Sequence, residues 1–393
     1  MRSEHSPFVV NVKTKQFGRN LWSRKDSTGG RTPVARRTLP TSVRDAMWMM
    51  IVAATGLIPM VRDQVTRSLL SLSSDDSLKD AARLLKRSRI TGAPCYDDNS
   101  LDGILSRRDL LKTIAAVPEE IADDPGALEQ QMASVREQTS CWEVMTNRPQ
   151  TISPDVSLIE AARILAGKKL NRLIVKSKYS PVLGIISSTD VVFSLLGCGS
   201  DKGCGIDEGD EQIDWTQHVF RGGAELDVGS TGVAEHMATD LLVVSPELSL
   251  EDAARVLKEG QVTGAPVMEA DTLVGVLSRN DLLKALAAVP DDDATFKEQI
   301  SALWKQPVSS VMSNQPRTIT PDTSVYEASK IMVTDQLNRL LVTNAHGKLC
   351  GIVSSTDVVF AMLGGDEDEE NEVAWLEDAD RFGHMQGHMQ GMY

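Results

Sequence analysis

Four times along the chain a glycine, two aliphatic residues and a Ser-x-x-Asp step run into an amphipathic stretch. The copies are Gly103-Ile104-Leu105-Ser106-Arg107-Arg108-Asp109, Gly184-Ile185-Ile186-Ser187-Ser188-Thr189-Asp190, Gly275-Val276-Leu277-Ser278-Arg279-Asn280-Asp281 and Gly351-Ile352-Val353-Ser354-Ser355-Thr356-Asp357. The aliphatic pair reads as the end of a buried strand, and the apolar positions that follow, such as Leu110, Leu111 and Ile114, have helical spacing. A strand, a tight exit and a helix start are therefore predicted at each copy.

The segments upstream share a second order of signals. A short aliphatic strand (Val243-Val244, or Thr318-Ile319) leads to a helix opening Ser77 to Asp80, Ser157 to Glu160, Ser249 to Asp252 or Ser324 to Glu327. That spacing is a capping box, the serine oxygen accepting from a free amide and the acid reaching back. Two strands joined by a polar turn (Asp97-Asp98-Asn99-Ser100, or Asn344-Ala345-His346-Gly347) come next. The unit is β-α-β-β-α, and its tandem repetition predicts an α/β (α+β) fold of small sheets with helices packed on one face.

The four units are of two kinds. Ile90-Thr91-Gly92-Ala93-Pro94 matches Val262-Thr263-Gly264-Ala265-Pro266, whereas Leu170-Asn171-Arg172-Leu173 matches Leu337-Asn338-Arg339-Leu340, and Ser-Ser-Thr-Asp-Val-Val-Phe recurs intact. The order is A, B, A, B, as if a diverged pair had been duplicated. The reading assigns 1–59 to a basic leader and lead-in, 60–118, 141–197, 231–290 and 308–364 to the units, and 365–393 to a tail. Residues 119–140 and 291–308 carry helical apolar spacing (Leu128, Met132, Val135; Phe296, Ile300, Leu303) and are expected to pack on their pairs. Residues 198–230, Gly-rich, acidic and aperiodic, are expected to form a mobile linker between pairs.

Composition adds limits. With 41% hydrophobic and 24% charged residues the chain is ordinary for a globular protein, and its longest apolar run, Ala46 to Met60, is interrupted by Thr55, Gly56 and Pro59 and is too short for a membrane span. The formal charge of −14 is uneven: residues 1–44 carry ten Lys/Arg against Glu4 and Asp26, leaving about −22 on the rest. Nucleic acid is therefore excluded as a partner of the body. The leader has the composition of an organelle transit peptide and equally of a basic tail, so the location is cytoplasmic or, alternatively, a mitochondrion or plastid. Five scattered cysteines, Cys95, Cys141, Cys198, Cys204 and Cys350, do not form a secreted disulfide framework. Cys198 and Cys204 lack further ligands for zinc, and His384 and His388 lie in a low-complexity, acid-led tail, so no metal site is expected.

The fourfold β-α-β-β-α order, with its glycine and closing Ser-x-x-Asp, resembles the CBS domain family, over residues 60–364. The resemblance implies two pseudo-twofold pairs, or Bateman modules, whose clefts bind adenosine derivatives, an architecture similar to the γ subunit of AMP-activated kinase. Asn171-Arg172 and Asn338-Arg339 stand where that subunit often has His-Arg. It also implies a regulatory ligand (AMP, ADP, ATP or S-adenosylmethionine), no required cofactor, and a regulated protein partner such as a kinase.

The residues fit that chemistry. A carboxylate can accept both ribose hydroxyls, and a helix start beside it offers free amides to phosphate. Asp109, Asp190, Asp281 and Asp357 are thus the expected ribose ligands, with Ser106, Ser187, Ser278 and Ser354 on ribose or phosphate. Ser-x-x-Asp is also a plain capping box; however, the first helices use Asp and Glu equally, and the last use Asp in all four. Arg107 and Arg279 lie in a helix's first turn, where a cation is unfavourable by about 0.3–1 kcal/mol unless an anion joins it. Arg172 and Arg339 begin strands and are expected to contact phosphate. Gly92, Pro94, Gly264 and Pro266 are expected to line the adenine cleft, glycine permitting close approach. No catalytic motif is present. The rival readings are a ligand-free scaffold or dimerisation protein and, least favoured, an AMP-consuming hydrolase.

Overall fold

The computed structural model describes residues 58–97, 100–177, 182–196, 218–221, 232–292 and 294–364. The basic leader, Cys198, Cys204, the acidic tail, and His384 and His388 lie outside them. Each unit has the expected β-α-β-β-α order, although at the first helices only the serine half of the expected capping box forms. A helix (Leu78–Arg87, Leu158–Gly167, Leu250–Glu259, Val325–Thr334) starts where a serine cap accepts the amide three residues on. A hairpin follows: Gly92–Asp97 with Ser100–Ser106, Arg172–Lys176 with Val182–Ser187, Gly264–Glu269 with Thr272–Ser278, and Arg339–Thr343 with Leu349–Ser354. A short strand or single bridge runs parallel to the hairpin's first strand. The second helix (Arg107–Ala115, Ser188–Ser194, Arg279–Ala287, Ser355–Leu363) closes the unit.

The units close into a ring held by two kinds of interface. Sheet faces meet between units one and two, around Ile104, Ile174 and Ile185, and between three and four, around Leu241, Met268, Leu341 and Leu349. Helix faces meet between the pairs. One core joins units two and three (Leu165, Val191, Leu257, Leu283), the other joins one and four (Leu85, Leu110, Met332, Val358). The helical faces are thus covered within one chain. Among the described residues, no helix is long and apolar enough to cross a membrane.

Each unit also lends its partner an arm. Residues 59–66, where unit one begins, run along unit two: Val61 and Arg62 donate to Val156 O and Pro154 O, and Thr66 exchanges two backbone bonds with Ile185. In return the arm before unit two lies on unit one, Cys141 and Trp142 donating to Asp76 O and Ser74 O, and Thr146–Asn147 joining its sheet. Units three and four repeat the exchange through Val233, Ala234 and Ala238 and through Val308, Ser309 and Ser313.

The connecting helices pack as their spacing predicts and reach further. Pro125–Gln138 buries Met132 in the core shared by units one and four. Phe296–Trp304 buries Trp304, whose indole N–H donates to Leu195 O of unit two at 2.8 Å. The 198–230 linker is not wholly irregular: Val219–Arg221 forms a strand antiparallel to Asp240–Leu242, which its lack of periodicity had hidden.

Polar side chains fasten the helix ends across the ring. Arg163 donates to Ala287 O and Val289 O, Arg83 to Gly364 O, and the Tyr326 hydroxyl to Val117 O at 2.6 Å. Cations at a helix C-terminus are favourable, and a buried hydroxyl needs its acceptor. Tyr326→Phe leaves that carbonyl without its donor, and should cost about 1–2 kcal/mol in urea unfolding. A change below about 0.3 kcal/mol would show that water replaces the hydroxyl.

Candidate functional site

At the start of each unit's last helix the serine and aspartate are locked together. Asp109, Asp190, Asp281 and Asp357 each accept with Oδ2 from the backbone N–H of Ser106, Ser187, Ser278 and Ser354, at 2.7–2.9 Å. The same oxygen accepts the serine hydroxyl at 2.6–2.7 Å. The capping role is therefore real in all four. It leaves Oδ1 outside the cap: that of Asp109 takes the Thr146 hydroxyl at 3.3 Å, and that of Asp281 lies 3.6 Å from Lys284 Nζ. The serine hydroxyl is committed to its aspartate, so a ligand would meet its lone pairs. Burial raises the Asp190 carboxyl above its usual range, against the pull of Ser187, Arg279 and Arg172.

The four arginines singled out in the sequence come together at the middle of the ring. Burial, reinforced by the repulsion of Arg107 and Arg279, lowers Arg172 from its ordinary value to about 10, with Asp109 and Asp190 opposing. Arg279 falls to about 10 through burial and Arg107, and Arg339 to about 9 through burial, Arg279 and Arg107. Burial takes Arg107 to about 10, against the attraction of Asp357. The four arginines are half-buried as residues. Arg172 Nη1 and Arg279 Nε are buried donors with no acceptor among the described residues.

The two kinds of arginine face different ways. The strand arginines stay within their pair: Arg172 donates to Thr91 and feels Asp109, and Arg339 donates to Thr263 and feels Asp281. The helix-start arginines cross between pairs: Arg279 donates to Thr189 beside Asp190, and Arg107 faces Asp357. Every aspartate is therefore matched with an arginine from another unit.

Gly92 and Gly264 have a use that the sequence did not show. A Cβ on either would collide with the guanidinium of Arg172 or Arg339 and come within 2.5 Å of Leu105 O or Leu277 O. Each glycine leaves room for an arginine. Pro94 and Pro266 are buried in strand, paired with Ile104 and Val276.

Sequence reasoning missed the threonines that orient the arginines, although Thr91 and Thr263 begin the repeated Thr-Gly-Ala-Pro. It also missed four residues just past the first helices, Arg89, Lys169, Gln261 and Gln336, all at positive φ without being glycine. They meet across the ring, Arg89 with Gln261 at 3.2 Å and Lys169 with Gln336 at 2.8 Å. Arg108 reaches the carbonyls of Lys169 and Gln336, both at 3.4 Å. No sequence signal marks a left-handed arginine or lysine. Among the described residues no group of three or more His, Cys, Asp or Glu could hold a metal.

Four such units make a ring in which each helix-start aspartate is matched with an arginine from another unit. The chain belongs to the CBS domain family, whose pattern matches residues 61–116, 141–197, 233–288 and 308–364. It is 35% identical over 150 residues to the chloroplastic CBS domain-containing protein CBSX2 of Arabidopsis thaliana, an alignment spanning 34% of this chain and 63% of CBSX2. The inosine-5'-monophosphate dehydrogenase of Korarchaeum cryptofilum is 33% identical over 31% of this chain, but only 22% of the enzyme is covered. The chain thus spans less than two thirds of these relatives. Among solved structures, CBSX2 in complex with AMP is 34% identical, with 34% of this chain and 97% of that one covered and a TM-score of 0.29. MJ1225 of Methanocaldococcus jannaschii is 18% identical, with 77% and 99% covered and a TM-score of 0.33.

Proposed function

We propose that the chain is a non-enzymatic regulatory protein that binds adenine nucleotides at its helix starts, phosphates toward the arginines, and passes that state to a protein partner. The carrying observation is the pair of buried donors without acceptors, Arg172 Nη1 and Arg279 Nε, within a group of arginines that repel one another. A buried donor left unpaired is costly, and a phosphate oxygen would satisfy both it and the repulsion. The aspartate Oδ1 atoms then supply ribose acceptors at fixed places. CBSX2 has been solved with AMP bound, which supports an adenosyl ligand here. Ligand bridging two units would favour one arrangement of the pair, by no more than its differential affinity. CBSX2 being chloroplastic favours the plastid alternative for the leader.

Calorimetric titration with AMP, ADP, ATP and S-adenosylmethionine tests this reading. Asp281→Ala should abolish or weaken at least tenfold the binding at its site. Asp252→Ala, which removes the cap carboxylate of the same unit's first helix, should destabilise by about 1 kcal/mol and leave binding intact. No heat from the folded wild type with any ligand sinks the proposal and leaves the scaffold reading. Nucleotide turnover on prolonged incubation would refute the non-enzymatic assignment.

A further inference from the structure

One core contact breaks the fourfold pattern. In every quadrant the borrowed arm and the unit's central strand each bury one equivalent side chain in the same core. The arm positions are fixed by their backbone bonds: Cys141 to Asp76 O, Val61 to Val156 O, Val308 to Leu248 O and Val233 to Thr323 O, the acceptor always preceding the helix-capping serine. The strand positions are fixed by the irregularity of the hairpins, which falls directly after Cys95, Val175, Val267 and Val342. Three quadrants therefore hold two valines, and the first holds two cysteines. All eight side chains are fully buried.

Valine and cysteine are close in size, so packing asks only for the valine used elsewhere. Here both partners are cysteine together. The two thiols lie in one core, near enough for each to perturb the other's ionisation. The neighbouring Cys141 holds the Cys95 thiol below its ordinary range, outweighing burial, whereas Cys95 and burial push Cys141 up. Cys350 differs, its thiol being bonded to the Val342 carbonyl.

We propose that Cys95 and Cys141 are a dithiol–disulfide pair that, when oxidised, fastens the arm of unit two to the central strand of unit one. The inference does not rest on the nucleotide reading. A small-molecule disulfide such as oxidised glutathione is the co-reactant. The Cys95 thiolate attacks one of its sulfurs and expels a glutathione thiolate; Cys141 loses its proton, attacks the Cys95 sulfur and expels the second. Two protein thiols are oxidised and one glutathione disulfide is reduced to two thiols. Access comes through local opening of the arm, a single helical turn (Cys141–Val144) whose Trp142 is 53% exposed. The same arm carries Thr146, which bonds Asp109, so the link would fix one wall of that site.

The full chain would be equilibrated across ratios of reduced to oxidised glutathione, unfolded, alkylated and digested for peptide mass mapping. The expected result is a Cys95-peptide joined to a Cys141-peptide in one two-electron transition, and a melting temperature several degrees above that of the reduced chain. Cys95→Val/Cys141→Val restores the valine pair of the other quadrants, and its melting temperature should not respond to the redox buffer. Full alkylation of both cysteines at every ratio, links only among other cysteines, or an equal redox shift in the double variant would overturn the proposal. The peptide map of the wild type decides the matter even if the double variant folds poorly.

Discussion

Arg107→Met is expected to raise the melting temperature of the free chain by a few degrees and to weaken ATP binding at least tenfold. The opposite signs come from one cause. Arg107 is the arginine whose charge depresses all three of the others, and it sits in the first turn of its helix, where a cation is already unfavourable. At neutral pH every guanidinium is charged, and the penalty is of the order of 1–3 kcal/mol per group once screening is allowed for. The pH dependence follows. Burial lowers the four groups to about 9–10 in the folded chain, below the value of a free guanidinium, so unfolding takes up protons above about pH 9. Their contribution therefore makes stability rise as pH climbs from about 9 toward 12. The rise should be shallower in Arg107→Met, and melting curves between pH 7.5 and 10.5 measure it. A less stable variant that binds ATP normally would show that Arg107 is held by its aspartate and has no role toward phosphate.

Gly264→Ala should destabilise the chain by about 2–3 kcal/mol and remove nucleotide binding at the Asp281 site. A single methyl group has this reach because the added carbon meets Leu277 O at 2.5 Å as well as the Arg339 guanidinium. A flexible side chain could swing away, but the carbonyl belongs to the hairpin partner, and overpacking of this kind costs about 1–3 kcal/mol. Displacing Arg339 also separates it from Thr263 and Asp281. Ala265→Gly, one residue away on the core face, makes the useful comparison: similar destabilisation with binding kept. Equal affinity in Gly264→Ala and wild type would disprove the arginine's part in binding.

The units were legible because each is specified locally. Serine caps, aliphatic strand ends and amphipathic helices lie within about twenty residues of one another, and their repetition made the reading self-checking. The candidate residues were legible for the same reason: Asp109 and Arg107 occupy positions that local chemistry singles out. What the sequence hid was long-range. Nothing near Arg107 says that it faces Asp357 rather than its own pair, and nothing near Gly92 says that Arg172 will lie over it. The arms were hidden because Thr66, Ala238 and Ser313 bond as single bridges, without the alternation that betrays a strand. The cysteine pair was visible only as scattered residues, since its meaning depends on which valines stand opposite in the other three quadrants.

The crossing of arms bears on how the chain can be made. A ribosome delivers unit one before the arm that covers its helix start and sheet edge, and it delivers residues 59–66, which lie along unit two, long before unit two exists. Folding cannot be completed unit by unit as the polypeptide emerges; the smallest product that can close on itself is a whole pair. Even then the helical faces of that pair stay bare until synthesis reaches the last helix at Leu363. For half of its translation the nascent chain carries an apolar surface with no partner yet made, which makes it a natural client for a chaperone and makes truncated messages of this sequence prone to aggregate.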